Sequence, residues 1–314
     1  MYSYNISLFK KEKIREIGLK NNFTNIKSKY IVQIIFENLS KRKLLELIKN
    51  NNNIQKRLNI NTNNYKEYNE LYSETYSSIE IEIKPSTFCS GPFININNEE
   101  DMKYFHIYFN DNKEEIKRSI YNNEDKVIKI NIIIDYQITS FEKLFYMCAI
   151  DAIYFKRINR KNIYFMDFMF SRCSYLKELD ISKIDTSNVK DMRGIFSHCP
   201  DLEELNITNF NTDKITDMSE MFYGCSKLKE LNLSNFNTNN VTNMKFMFCG
   251  CYKLKELNVS NFNINNVTNM SLMLYGCPIE LKKKMRAEFK NIKEEAFDLV
   301  NLFCLSIKNY VLKN

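Results

Sequence analysis

Met221-Phe-Tyr-Gly-Cys-Ser-Lys-Leu-Lys-Glu-Leu-Asn-Leu-Ser-Asn-Phe-Asn-Thr-Asn-Asn-Val-Thr-Asn-Met244 is followed by Lys245-Phe246. Then comes Met247-Phe-Cys-Gly-Cys-Tyr-Lys-Leu-Lys-Glu-Leu-Asn-Val-Ser-Asn-Phe262, a second copy of the same frame. On either side of these copies, Cys173, Cys199, Cys225, Cys251 and Cys277 stand 26 residues apart, and Cys148 lies 25 residues before the first. Each copy carries an apolar pair before its cysteine, as in Met169-Phe170 or Ile195-Phe196, and leucines after it, as in Leu202, Leu205 and Ile207. A fixed period of this length marks a repeat architecture. Leu231-x-Leu233 alternates as one face of a strand does, Asn235 to Asn240 is turn chemistry, and Val241, Met244 and Met247 step as a helical turn does. The spacing predicts an α/β fold: a leucine-rich-repeat-like solenoid of parallel strands and short helices in coils of 25–26 residues. It is preceded by a small helical region and a β-rich cap.

The pattern divides the chain into four regions. Residues 1–75 read as helical. Residues 76–140 read as a β-rich cap with strands at Ile79–Ile83, Phe105–Phe109 and Val127–Ile134, the last grading into a degenerate first coil. Residues 141–278 are the solenoid. Pro278 ends the pattern, and 279–314 reads as an amphipathic helix with Leu281, Met285, Phe289, Ile292 and Phe297 on one side, covering the last coil. Solenoids require such a cap.

Composition excludes several classes. Of 314 residues, 44% are apolar, enough for a core. The net charge is +7, and residues 1–75, with 14 Lys/Arg against 7 Asp/Glu, carry all of it. No basic stripe or nucleic-acid module accompanies that surplus, so no nucleic-acid partner is expected. No run approaches 18 apolar residues, and the start of the chain does not read as a signal peptide, so the expectation is a cytoplasmic protein with no membrane partner. The cysteine ladder lacks the close ligand pairs of a zinc site; one small residue per tight corner is a packing pattern, and no metal or cofactor is expected. Cys89, Cys249 and Cys304 fall outside it. His106 reads as a structural side chain on a strand, and His198 as a variable corner residue in the slot of Arg172, Gly224, Gly250 and Gly276. No nucleophile elbow, phosphate loop or metal-spaced His/Glu pair is present, so no catalytic residue is expected.

The runs at 221–244 and 247–262 closely resemble the BspA-like, DUF285-type leucine-rich repeat of bacterial surface proteins, and the resemblance spans about 140–280. It implies a scaffold that binds another protein. Surface adhesion is disfavoured by the missing export signal. Where the common leucine-rich repeat has an asparagine, this chain has Ile184, Phe210, Phe236 and Phe262, which points to a phenylalanine spine in place of an asparagine ladder. In the N-terminal region, Ile26, Ile35, Phe36, Leu39, Leu44 and Leu45 fall at apolar positions that resemble an F-box, with Lys27 where a proline is usual. That resemblance implies an alternative role as a substrate adaptor gripping a Skp1-like linker of a cullin ubiquitin ligase. A plain capping hairpin accounts for the same pattern.

The outward strand positions form columns: Glu178, Glu204, Glu230 and Glu256 in one, Asp180, Asn206, Asn232 and Asn258 in the next. These eight are the candidate protein-binding residues. Tyr154, Lys156, Arg157, Arg160, Arg193 and His198 break the repeat and are candidates for specificity.

Overall fold

The structure is a computed structural model that describes residues 78–298 apart from 97, 98, 136 and 137. The chain divides into two compact units, Met1–Tyr76 and Ser77–Asn314, and the described residues all belong to the second. The F-box-like residues Ile26, Ile35, Phe36, Leu39, Leu44 and Leu45, and Cys304, lie outside the described residues.

The second unit opens with β1 (Ile79–Pro85), β2 (Gly91–Pro92), β3 (Phe105–Phe109), β4 (Ile120–Tyr121) and β5 (Ile130–Ile134). In β1, β3 and β5 every second residue is buried, which is why Ile-x-Ile-x-Ile and Phe-x-Ile-x-Phe form half-buried strands. Ile79, Ile81 and Ile83 face Ile134, Ile132 and Ile130 across an antiparallel ladder, and β3 pairs with the other edge of β5. β1 then pairs antiparallel with β6 (Ile150–Arg157), and β6 pairs parallel with β7 (Glu178–Asp180). The result is a mixed five-stranded sheet in the order β3-β5-β1-β6-β7. The last strand of the cap is therefore an antiparallel member of this sheet, shorter than expected, and not the strand of a degenerate coil. β8 (Glu230–Asn232) and β9 (Glu256–Asn258) form a separate parallel pair.

The expected α/β solenoid is overturned. Among the described residues one α-helix occurs, α1 (Ile279–Glu288), and it lies after the repeats. The segments expected to be short helices are chains of tight turns. In one repeat Met247, Cys249 and Cys251 donate N–H bonds three residues back, to Met244, Phe246 and Phe248. The intervening Met244, Phe246, Phe248 and Gly250 donate to Asn269, Ser271, Met273 and Tyr275 of the next repeat. An α-helix would keep all these donors for itself. It would also need right-handed backbone throughout, whereas two residues four apart are left-handed in each repeat: Glu220 and Gly224, then Phe246 and Gly250, then Leu272 and Gly276. Steps of three and four in the apolar pattern thus arise from overlapping turns whose alternate amides are exported. The parallel sheet is also interrupted: Glu204–Asn206 form no strand, although they carry the same residues as β8.

The core runs through the repeats as columns. Phe145, Phe170, Phe196, Phe222 and Phe248 stack at 5.7, 5.8, 5.7 and 5.6 Å between ring centroids. The spine is therefore the phenylalanine before each cysteine, not the Ile184, Phe210, Phe236, Phe262 column. An asparagine ladder is present as well, one residue ahead of that column. Asn209 donates its amide to the Ile181, Ser182 and Ile184 carbonyls, Asn235 to those of Ile207 and Phe210, and Asn261 to that of Ser234.

Both ends of the turn ladder are closed. Asn95 donates its backbone N–H to the Leu144 carbonyl and its side-chain amide to Lys143 and Tyr146, standing where an earlier repeat would stand. At the far end Leu272 and Leu274 donate to the Glu295 and Ala296 carbonyls. α1 buries Leu281 and Met285; Phe297 is buried from beyond it, after a short 3-10 turn at Glu294–Ala296, so the expected single helix through 314 is broken at Phe289.

Candidate functional site: the open face

The outward columns lie on one face, and the residues of the third, fourth and fifth repeats line an open groove of about 500 Å³. Glu204, Glu230 and Glu256 line it together with Asn206, Asn232 and Asn258, with Leu205, Leu231 and Leu257 between them, and Lys284 of α1 closes one end. Six of the eight predicted residues thus come together. Glu178 and Asp180 on β7 stand outside the groove, beyond the interruption of the sheet. Glu178 accepts a hydrogen bond from the Tyr154 hydroxyl, and Lys84 is 3.8 Å away.

The two columns differ in what they are free to do. Asp180, Asn206, Asn232 and Asn258 each accept the backbone N–H two residues on, from Ser182, Thr208, Ser234 and Ser260. These Asx turns bend the chain out of the strand, so one oxygen of each side chain is committed to the fold. The Ser182 hydroxyl and amide also hold the Asp180 carboxyl below its usual range. Glu204, Glu230 and Glu256 are exposed and make no ion pair with any described residue. The slots beside the glutamates are mostly lysine (Lys177, Lys229 and Lys255 around Glu203), and the acids among them are paired from the next repeat: Lys229 meets Glu203 at 2.6 Å and Lys227 meets Asp201 at 2.7 Å. Lys284 donates to the Leu257 carbonyl at 3.3 Å, capping the outer edge of β9. Among its lining residues the groove therefore holds three carboxylates and one ammonium.

Among the specificity candidates, Arg160 is buried, not displayed, and burial pulls its guanidinium down to about 10. Arg193 is tied to Asp191 at 2.8 Å. Lys156 and Arg157 pair with Glu82 and Glu80 across β1, at 3.3 Å each. His198 sits at a left-handed corner, its ring against Tyr223, with burial and then Arg172 lowering its basicity.

The cysteine column is interior. Cys173, Cys199, Cys225, Cys251 and Cys277 donate S–H bonds of 2.9–3.2 Å to the phenylalanine carbonyl of the preceding repeat. Burial pushes the thiols of Cys173 and Cys225 up to about 12 and holds Cys199 and Cys251 protonated as well. Cys249 is buried, and Cys89 is partly exposed. Among the described residues no three His, Cys, Asp or Glu side chains are grouped to hold a metal ion, and no helix is long and apolar enough to cross a membrane.

Repeats built on a phenylalanine–cysteine turn corner and a polar strand face define a class of tandem-repeat proteins. The chain matches the family described as Mycoplasma protein of unknown function, DUF285, over residues 115–205, 139–230 and 196–287, and it belongs to that family. No curated protein and no solved structure gives a significant match.

Sequence reasoning passed over Lys284, the Asx turns and the asparagine ladder. The recurrence of Asn-x-Ser/Thr at 206, 232 and 258, and of Asn at 209, 235 and 261, carried the signal for the last two.

Proposed function

We propose that this protein is a non-catalytic interaction scaffold that receives a basic helix of another protein along Glu204, Glu230 and Glu256. The observation that carries this reading is the row of three exposed carboxylates lining the groove, none of them in an ion pair with a described residue. A basic partner would relieve the repulsion along the row. The spacing favours a helix. Successive repeats lie about 4.8 Å apart where strands pair and 5.6–5.8 Å apart at the phenylalanine column. A helical pitch of about 5.4 Å falls within that range, whereas alternate residues of an extended peptide are about 6.7 Å apart.

The test is fluorescence anisotropy with a labelled helical peptide bearing Lys at i, i+4 and i+7, against a scrambled peptide of equal composition. The full chain is expected to prefer the patterned peptide, to bind it more weakly as salt rises, and to lose at least tenfold in affinity in the E204K/E230K/E256K variant. Equal binding of both peptides, or an unaffected triple variant, rules the reading out.

A further inference from the structure

His106 lies on β3, at the edge of the five-stranded sheet, and points out of its polar face. Each ring nitrogen meets a carboxylate. Nδ1 is 2.8 Å from Glu115 Oε1, and Nε2 is 3.1 Å from Asp135 Oδ2. A neutral imidazole carries one N–H, so it can donate to only one of these and must turn a lone pair toward the other; the imidazolium donates to both.

Glu115 belongs to the segment 110–119, which folds back over the free edge of β3. The ends of that segment are pinned independently of His106. Asp111 is bound by Lys129 at 2.5 Å and by Asn131 at 2.8 Å, and Arg118 grips Asp125 with two nitrogens. Its middle is held by the Ile116 N–H to the Ile107 carbonyl at 2.8 Å, by packing of the half-buried Ile116 side chain on the core, and by His106.

We propose that His106 is a pH-sensitive latch that holds residues 112–117 over the edge of β3, and that loss of its proton lets this stretch swing away and uncovers the Ile107 edge. The charged and titratable groups around the ring are accounted for. On the covering segment, Lys117 also binds Glu115, at 2.5 Å. Just past the end of β5 stands Asp135, which also attracts Arg160. On β1, the outward Glu80 and Glu82 are taken by Arg157 and Lys156. Tyr104 and Tyr108 flank His106 along the chain. Burial opposes the imidazolium, and the hydrogen bonds of Asp135 and then Glu115 outweigh it, so its pKa is raised above 6.5. The latch is therefore closed below about pH 6.5 and released as pH rises through the raised value.

The chain has two histidines, so selective ring labelling of the full chain gives two imidazole signals, and His106→Gln assigns them. A titration is expected to place His106 above 6.5, and Glu115→Gln to lower it. Hydrogen exchange of peptides covering 110–119, corrected for the intrinsic rate, is expected to lose protection through the same titration. The loss should be about tenfold for each unit by which the pKa exceeds 6.5. In H106Q, or in E115Q should H106Q fail to fold, that pH dependence should vanish or shrink. A His106 pKa at or below 6.5, or corrected protection that is equal on both sides of the titration, overturns the latch.

Discussion

Thr186, Thr212 and Thr238 are buried, and each hydroxyl does two things for the next repeat. The Thr212 hydroxyl accepts the Asn237 N–H at 2.8 Å and donates to the Asn237 carbonyl at 3.0 Å; Thr186 and Thr238 do the same for Asn211 and Asn263. The slot in the last repeat is Ile264, where no further repeat offers a backbone to bond. A threonine there would bury a hydroxyl without that partner. Replacing Thr212 with the isosteric Val should cost about 2 kcal/mol, because it strips two buried backbone groups of their partner. Ile264→Thr should also destabilise, by about 1–2 kcal/mol, through an unmatched hydroxyl. Urea unfolding of both variants checks this. A neutral Thr212→Val would show that water replaces the hydroxyl. Space explains another slot. Gly194 has φ +54°, yet the same slot carries Glu220 and Phe246 at φ +58°, so conformation alone does not demand glycine; an added Cβ would clash with the Phe168 ring, and that favours glycine there.

The element that sequence reading misjudged is the turn chain after each Val-x-x-Met. Met244, Met247 and Phe248 are spaced as a helix face would be, and that spacing says nothing about where the N–H groups point. The Phe and Gly at 246 and 250 adopt positive φ, which only the bonds to the next repeat make worthwhile. Such a ladder needs a donor set before its first rung. Asn95 supplies it, so Asn95→Ala should free the Tyr146 and Lys143 carbonyls and cost about 1–2 kcal/mol. Hydrogen exchange should show the loss concentrated in peptides covering 139–149, with 240–275 unchanged. A uniform loss across the repeats would mean that Asn95 acts on global stability and not as a cap. Asn95 carried no mark in the sequence, since it lies outside the repeat and about fifty residues from its partners.

At the scale of the whole molecule, the buried thiols tie stability to alkaline pH. The folded state holds the column as S–H donors, with Cys173, Cys225 and Cys277 raised to about 12 from an ordinary 9.0. A group whose folded pKa is raised contributes stability that is present below its unfolded pKa and is lost as pH climbs toward the folded value. Each thiol should therefore remove about 1.4 kcal/mol of stability per pH unit, beginning near pH 9. Denaturant midpoints measured between about pH 8 and 10.5 should fall more steeply for the native chain than for Cys199→Ala. Equal slopes would mean that the column opens before the thiols titrate. The cysteine register was fully legible in the sequence, because a small buried residue at a fixed corner recurs with the period. The hydrogen bond each thiol makes was not, since its acceptor is a main-chain carbonyl 29 residues earlier, 28 for Cys173.

Period, apolar positions and polar outward columns all follow from residue identity, because burial depends on side chains and the frame repeats every 26 residues. The direction of the backbone amides does not. Whether Met-x-x-Met-Phe winds into a helix or exports alternate N–H groups depends on a neighbour already in place to accept them, and that neighbour exists only in the assembled stack. The same holds for the open face: eight outward residues were readable, but packing alone divided them into Asp180 and three asparagines spent on turns, a Glu178 engaged by Tyr154, and three glutamates with no ion pair to a described residue.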